Sequence, residues 1–462
     1  MIIIDENIVS FMIFTPLVSA VFITFIPTND TGSKLAVSRF FSIIGFLFFL
    51  RIVYIFFNHK LTSPHNFSFT ISQISINFNV FISEHNLFLF GALSIVLMAN
   101  MILYELNDTK SNIHQVAPFV LTFILFASFG QKDIKVALPI ISISNFIIYF
   151  LIGYSEKNRR GTTIFHTGIF LFTCDALALV LLQYGADDFT QLAILLPGLS
   201  RISLPLCAPF MKNLFLNLDE AEGPFILSFL HLSGFLILLL SKYELTLDQS
   251  TIALVVGIIS AFSAIYIALE AINERKINTI YYYFLTFYST LTGSVIFLLD
   301  SKQSWWVSSQ LVLVNIAIFM HTARSALLVN QYRAQGNYKS RIRATWFLSI
   351  CLLVGIPGLG IGTVLWPTFY LFYQKIIIMP EPLNNLWSVL LLLWLCALIL
   401  LAYAMLLIFR IDYNDKNELK TAIFEHKKPI KISFVYAPFF IIFIAITIPL
   451  ITTYMRIKGK IL

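Results

Sequence analysis

Charge is what this sequence has least of. Of its 462 residues, 12% are Asp, Glu, Lys or Arg, against about 25% in an average soluble domain. That shortage excludes an ordinary water-soluble globule, because too few polar side chains are available to cover a core of this length. Cysteine is scarce as well. Cys174, Cys207, Cys351 and Cys396 all fall inside apolar runs, at no metal-ligand spacing. They read as small buried side chains, and no metal site is expected. A GxGxxG fingerprint and a P-loop are missing from the sequence, so the chain itself has no standard means of holding a nucleotide, and no cofactor is expected in it. The opening "MIIIDENIVSF" carries acids and runs directly into an apolar segment, which is not the pattern of a cleaved secretory leader.

What fills the chain instead is apolar sequence, 58% of it hydrophobic. At about twenty residues per bilayer crossing, fourteen candidate spans begin near Asn7, Phe40, Asn86, Gln115, Lys135, Thr163, Thr190, Pro224, Ser250, Ile277, Trp305, Thr345, Asn385 and Ile432. The fold expected is therefore all-α, a polytopic membrane protein with both termini outside. The orientation follows from the basic residues: the odd-numbered loops hold 19 Lys and Arg, and the even-numbered loops with both termini hold 9. Positive charge favours the cytoplasmic side. "EKNRRG" (Glu156–Gly161), "QYRAQGNYKSRIR" (Gln331–Arg343) and "RIDYNDKNELKTAIFEHKKPIK" (Arg410–Lys431) are then cytoplasmic topology signals. The net charge of +7 is thereby accounted for, and no nucleic-acid partner is expected.

A charged side chain at membrane depth costs a few kcal/mol or more, about 2.5–3.5 on insertion scales, so each one is a functional candidate. The set is short: Asp175 in the sixth span, Arg201 in the seventh, His231 in the eighth, His321 and Arg324 in the eleventh, and Lys276 at the entrance of the tenth. Asp175 and Arg201 lie at similar depth, each about ten residues from the outer loop joining their spans, and are expected to pair. Two roles stay open for them, a static ion pair between helices or part of a proton relay. His231 likewise reads either as a hydrogen-bonded packing residue or as a group that titrates.

The stretch "VGIPGLGIGTVLWPTFYLFYQ" (Val354–Gln374) is apolar enough to cross a membrane, yet it carries Gly355, Pro357, Gly358, Gly360, Gly362 and Pro367. Glycine loosens a helix and proline removes a donor and crowds the preceding turn. A break is expected here, either as a packing kink or as part of an ion path, since freed backbone groups at membrane depth must be met by protein or by a wet cavity.

Several segments, in order, resemble the antiporter-like membrane subunits of respiratory complex I (the M, N and L type chains of NADH:quinone oxidoreductase) and of Mrp antiporters and membrane hydrogenases. They are "FISEHNLFLFGAL" (Phe81–Leu93), "DEAEGPFILSFLHLSG" (Asp219–Gly234), "INERKINTIYYYFLTFYST" (Ile272–Thr290), "HTARSALL" (His321–Leu328) and "GIPGLGIGTVLWPTFYLFY" (Gly355–Tyr373). The resemblance covers essentially the whole chain and is nearest to the M or N type. It implies one antiporter-like transmembrane domain over residues 1–462, with 115–241 and 250–373 as candidate inverted-repeat halves and broken helices near spans 7 and 12. It also implies a non-catalytic, proton-translocation-type subunit of a complex I-like oxidoreductase, working with other membrane subunits and lipid. The implied location is the bacterial inner membrane, or an organellar one. The alternative is an Mrp-type cation/proton antiporter subunit or the membrane half of a proton-coupled bicarbonate uptake pair.

Carried over position by position, the family's buried Glu and Lys are mostly replaced. The fifth-span glutamate falls near Ser142 and the seventh-span lysine near Cys207, with Arg201 and Lys212 as the nearby bases. The eleventh-span lysine falls on Ser325 beside Arg324, and the twelfth-span ionisable residue near Leu365. His231, Lys276 and Glu222 match in kind. The proton-path candidates are therefore His231, Lys276, Asp175, Arg201, Lys212, Glu222, His321 and Arg324, in a path expected to be degenerate.

Overall fold

In the computed structural model, the residues described are 2–27, 30–57, 65–71, 74–80, 84–103, 112–153, 161–184, 192–202, 211–212, 214–215, 222–245, 249–274, 277–299, 307–308, 310–316, 318–320, 351–357 and 360–414. The chain divides into two compact units, Met1–Arg201 with Asn213–Leu247, and Ile202–Lys212 with Asp248–Leu462.

The first unit contains α1 (Ile2–Phe25), α2 (Thr31–Phe57), α3 (Glu84–Leu103), α4 (Asn112–Phe129), α5 (Ile134–Gly153), α6 (Gly161–Tyr184), a 3₁₀ turn (Leu192–Leu195), the short α7 (Leu196–Arg201) and α8 (Glu222–Glu244). Helix starts are written in the sequence. The Asp30 carboxylate accepts the Ser33 amide at 3.0 Å at the head of α2, and Asp133 accepts the Lys135 amide at 2.7 Å at the head of α5. Hydrogen bonds from Ser33 hold the exposed Asp30 carboxyl below its ordinary value. Within the apolar helices, hydroxyls return to the preceding turn, as Ser94 does to the Phe90 carbonyl at 2.9 Å and Thr122 to that of Pro118 at 2.7 Å. This satisfies them without water.

Helix α8 is the core of this unit. It packs against α3, α4, α5 and α7, and residues 223–242 are buried throughout, which suits a helix apolar on every side. Gly198 of α7 permits the closest approach: a Cβ there would lie 2.6 Å from Leu238 Cγ and 3.0 Å from the Gly234 carbonyl of α8. The outer helices α1 and α2 instead leave large apolar residues such as Phe22, Phe25, Phe40 and Leu47 exposed, as lipid contact requires.

One element departs from the all-α expectation. Between α2 and α3, strands β1 (His65–Ile71) and β2 (Ile74–Val80) pair antiparallel, with Ile71 opposite Ile74 and His65 opposite Val80. The reason lies in "NFSFTI" and "ISINFNV", where apolar and polar residues alternate with the period of a strand. Among the described residues the class is helical, as expected, with this one hairpin added.

The second unit contains α9 (Gln249–Asn273), α10 (Ile277–Leu298), an apolar helical stretch over Gln310–Met320, α11 (Gly362–Ile378) and α12 (Leu383–Asn414). Helix α9 packs on α10 and α12, and α11 on α12. Among the described residues of the whole chain, five helical segments are long and apolar enough to cross a bilayer: Ile8–Phe25, Thr31–Phe56, Gly223–Lys242, Thr251–Asn273 and Leu383–Leu407.

Candidate functional site: a buried ion pair and a sealed helix break

In the first unit, Lys34, Lys242 and His231 are buried, and so are an acid and a base that pair with each other. Asp175 stands on α6 and Arg201 ends α7, with side chains 1% and 0% exposed. They meet as two parallel bonds, Arg201 Nη1 to Asp175 Oδ1 at 2.7 Å and Nη2 to Oδ2 at 2.7 Å. This fork-on-fork geometry is the strongest available to the two groups. Two residues of α5, one helical turn apart, complete the ring. Ser142 Oγ lies 2.8 Å from Asp175 Oδ2, and Asn145 Nδ2 donates to the same oxygen at 2.8 Å. Arg201 donates further from Nη2 to Asn145 Oδ1 at 3.2 Å and from Nη1 to the Pro197 carbonyl at 2.9 Å.

The expected pairing of Asp175 with Arg201 is therefore present, and Ser142 touches it. The carboxylate meeting the seventh-span base comes from the sixth span, while the fifth span contributes a hydroxyl and an amide. Asn145 escaped the sequence reading, although a Ser and an Asn three apart in an apolar span mark one polar helix face. Chemically the quartet is neutral as a whole and tightly held. Its cation is a guanidinium, a planar fork that matches the carboxylate.

The second unit holds the break anticipated at Gly355–Gly362. Cys351–Leu353 is helical, the helix opens at Val354, and α11 resumes at Gly362. Gly355 and Gly360 take φ of +81° and +52°, in the left-handed region that favours glycine. Protein groups meet three carbonyls at the break. Ile361 N donates to the Leu352 carbonyl at 3.0 Å, Tyr288 Oη to that of Leu353 at 2.5 Å, and Trp366 Nε1 to that of Gly355 at 2.7 Å. Leu365, fully buried, lies against Gly355, where a Cβ would come within 2.9 Å of its Cδ2. Tyr288 and Trp366 were not anticipated as partners of the break. Their signal is a hydrogen-bonding tip on an otherwise apolar ring.

Other candidates are distributed. Lys212 belongs to the second unit, where Nζ donates to Tyr283 Oη at 2.6 Å and lies 3.4 Å from Glu274 and 3.7 Å from Glu270. His231 is buried in the middle of α8. Glu222 opens α8 through its backbone, and its side chain lies outside the described residues. Lys276, His321, Arg324, Ser325, Cys207 and Gly358 also lie outside them.

No family model matches the chain, and no curated protein matches it in sequence. Solved structures do match. A chain of the membrane-bound sulfane sulfur reductase, an archaeal respiratory membrane complex, superimposes with a TM-score of 0.74 at 13% identity, covering 98% of this chain and 96% of that one. A chain of respiratory complex I from Thermus thermophilus gives 0.71 at 13% identity, with 95% of each chain covered. The chain shares the fold of these membrane-complex chains. A chain of the Mrp complex from Dietzia sp. DQ12-45-1b carries it too, at a TM-score of 0.66 and 10% identity over 86% of this chain and 79% of that one. At such identities the fold is shared while the sequences differ widely. The chain is thus an integral membrane protein built like subunits of multi-subunit membrane complexes.

Proposed function

We propose that this chain is a membrane-arm subunit of a complex I-like redox assembly whose own proton path is closed. The observation that carries the reading is the Asp175–Arg201 pair, tied by Ser142 and Asn145. A relay needs groups that gain and lose protons at operating pH. Here the base paired with the carboxylate is an arginine, a residue type unsuited to releasing protons, and the carboxylate is occupied by the guanidinium, an amide and a hydroxyl. The break beginning at Val354 supports the same reading, because the Leu353 and Gly355 carbonyls accept from protein donors and Leu365 lies against Gly355. The chain then has no catalysis of its own, and its partners are membrane subunits and lipid. Any residual route would have to run through His231, Lys276 and bound water. The location proposed is the bacterial inner membrane, with an organellar inner membrane as the second possibility, and residues 115–241 and 250–373 are proposed as inverted-repeat halves.

The likeness to an Mrp complex chain supports a second reading, a cation/proton antiporter subunit. Purification of the tagged full chain in mild detergent separates the two. Redox subunits with flavin and iron–sulfur clusters are expected to accompany it; small antiporter subunits, or a zinc-bearing soluble partner, would overturn the redox reading.

Fourteen spans with outward termini complete the proposal. Single cysteines placed at Lys339 and Lys458 are expected to react with a membrane-impermeant thiol reagent from opposite faces of the membrane. Labelling of both from one face would contradict the topology.

A further inference from the structure

The guanidinium of Arg201 has five N–H groups in a fixed plane. Four of them are used: two on Asp175, one on the Pro197 carbonyl and one on Asn145 Oδ1. The fifth, on Nε, meets no acceptor among the described residues, although the side chain is fully buried. A buried charged donor left unmade costs more than the ~1–3 kcal/mol of a neutral one, and native interiors fill such positions with protein or ordered water.

We propose that Arg201 Nε and Asn145 Oδ1 together hold one resident water molecule in the first unit. Planarity places the partner. The Nε–H and the outer N–H of Nη2 point off the same edge of the guanidinium, and the outer N–H of Nη2 is the one left for Asn145 once Asp175 takes the other. Asn145 Oδ1 therefore borders the space into which Nε–H points, and an acceptor there has a second polar partner at hand. Its character follows from charge. Asp175 and Arg201 cancel, so the site has no net charge with which to hold an anion or a metal ion. Its bonding demand is an acceptor toward Nε and a donor toward Asn145 Oδ1, which water meets with one lone pair and one O–H. A water needs two or more polar partners to remain in an interior, and these are two. The inference rests on the quartet alone, and not on which complex hosts the chain.

The test is a cryo-electron microscopy map of the full chain in lipid nanodiscs, at a resolution that shows waters elsewhere in the interior. Expected is a density peak at ordinary hydrogen-bond distance, about 2.9 Å, from Arg201 Nε and also within reach of Asn145 Oδ1. In Asn145→Ala, which leaves both bonds of the ion pair in place, the peak is expected to weaken or vanish. A clean map with no peak at Nε, a main-chain carbonyl occupying that position, or a peak unchanged in Asn145→Ala would each overturn the site. None of those results bears on the co-purifying partners, so failure here is distinguishable from failure of the functional reading.

Discussion

Removing the Asp175 carboxylate alone, as in Asp175→Leu, is expected to destabilise the chain by about 3–5 kcal/mol, because it strands a guanidinium in the interior. Arg201→Met is expected to do the same from the other side, leaving a carboxylate with only Ser142 and Asn145 as donors. The double variant should be milder than either single change, since neither charge is then left alone, and its residual loss reflects the unpaired Asn145 and Ser142. Unfolding of the purified full chain in detergent, followed through all four corners of the double-mutant cycle, measures the coupling. Losses that simply add would mean that the two side chains do not share one desolvated site.

Alanine at Gly362 is the second change expected to be severe. Its Cβ would stand 2.0 Å from the Ile356 carbonyl oxygen, and at Gly360 it would stand 2.4 Å from the Leu352 oxygen with φ already at +52°. Both obstacles are backbone, and the Leu352 carbonyl is held by the Ile361 amide, so they yield only if the break itself rearranges. A loss on the order of 3 kcal/mol is expected at each position, from strain and overpacking together. Gly45→Ala is the control. Its nearest neighbour would be Thr15 Cγ2 at an ordinary 3.9 Å, and a helical alanine there should be neutral or slightly stabilising. Equal stability of all three variants in thermal unfolding would show that the interruption is not the fixed structure described.

Much of this was legible in the sequence, for reasons that differ by residue. Asp175 and Arg201 stood out because charge is rare in an apolar chain and an unpaired one at depth is expensive. The glycines from Gly355 to Gly362 announced the break because few other residues tolerate that backbone. The closure of the break was not legible. Tyr288 comes from a helix well before the interruption and Trp366 from the helix just after it, and only the folded packing brings their polar tips to the Leu353 and Gly355 carbonyls. Asn145 was hidden for a related reason: a polar residue in an apolar span gains meaning only when its helix face is known. The hairpin at His65–Val80 was lost to a search for twenty-residue apolar runs, which passes over strands of seven residues.

The proposal of a closed path is tested most directly by proton flux in liposomes holding the whole co-purified complex, with wild type compared against His231→Ala and Lys276→Ala. On that proposal both variants are expected to assemble, turn over and drive protons at the wild-type rate. Loss of flux in either variant, with assembly and turnover intact, would show that the chain carries a proton after all.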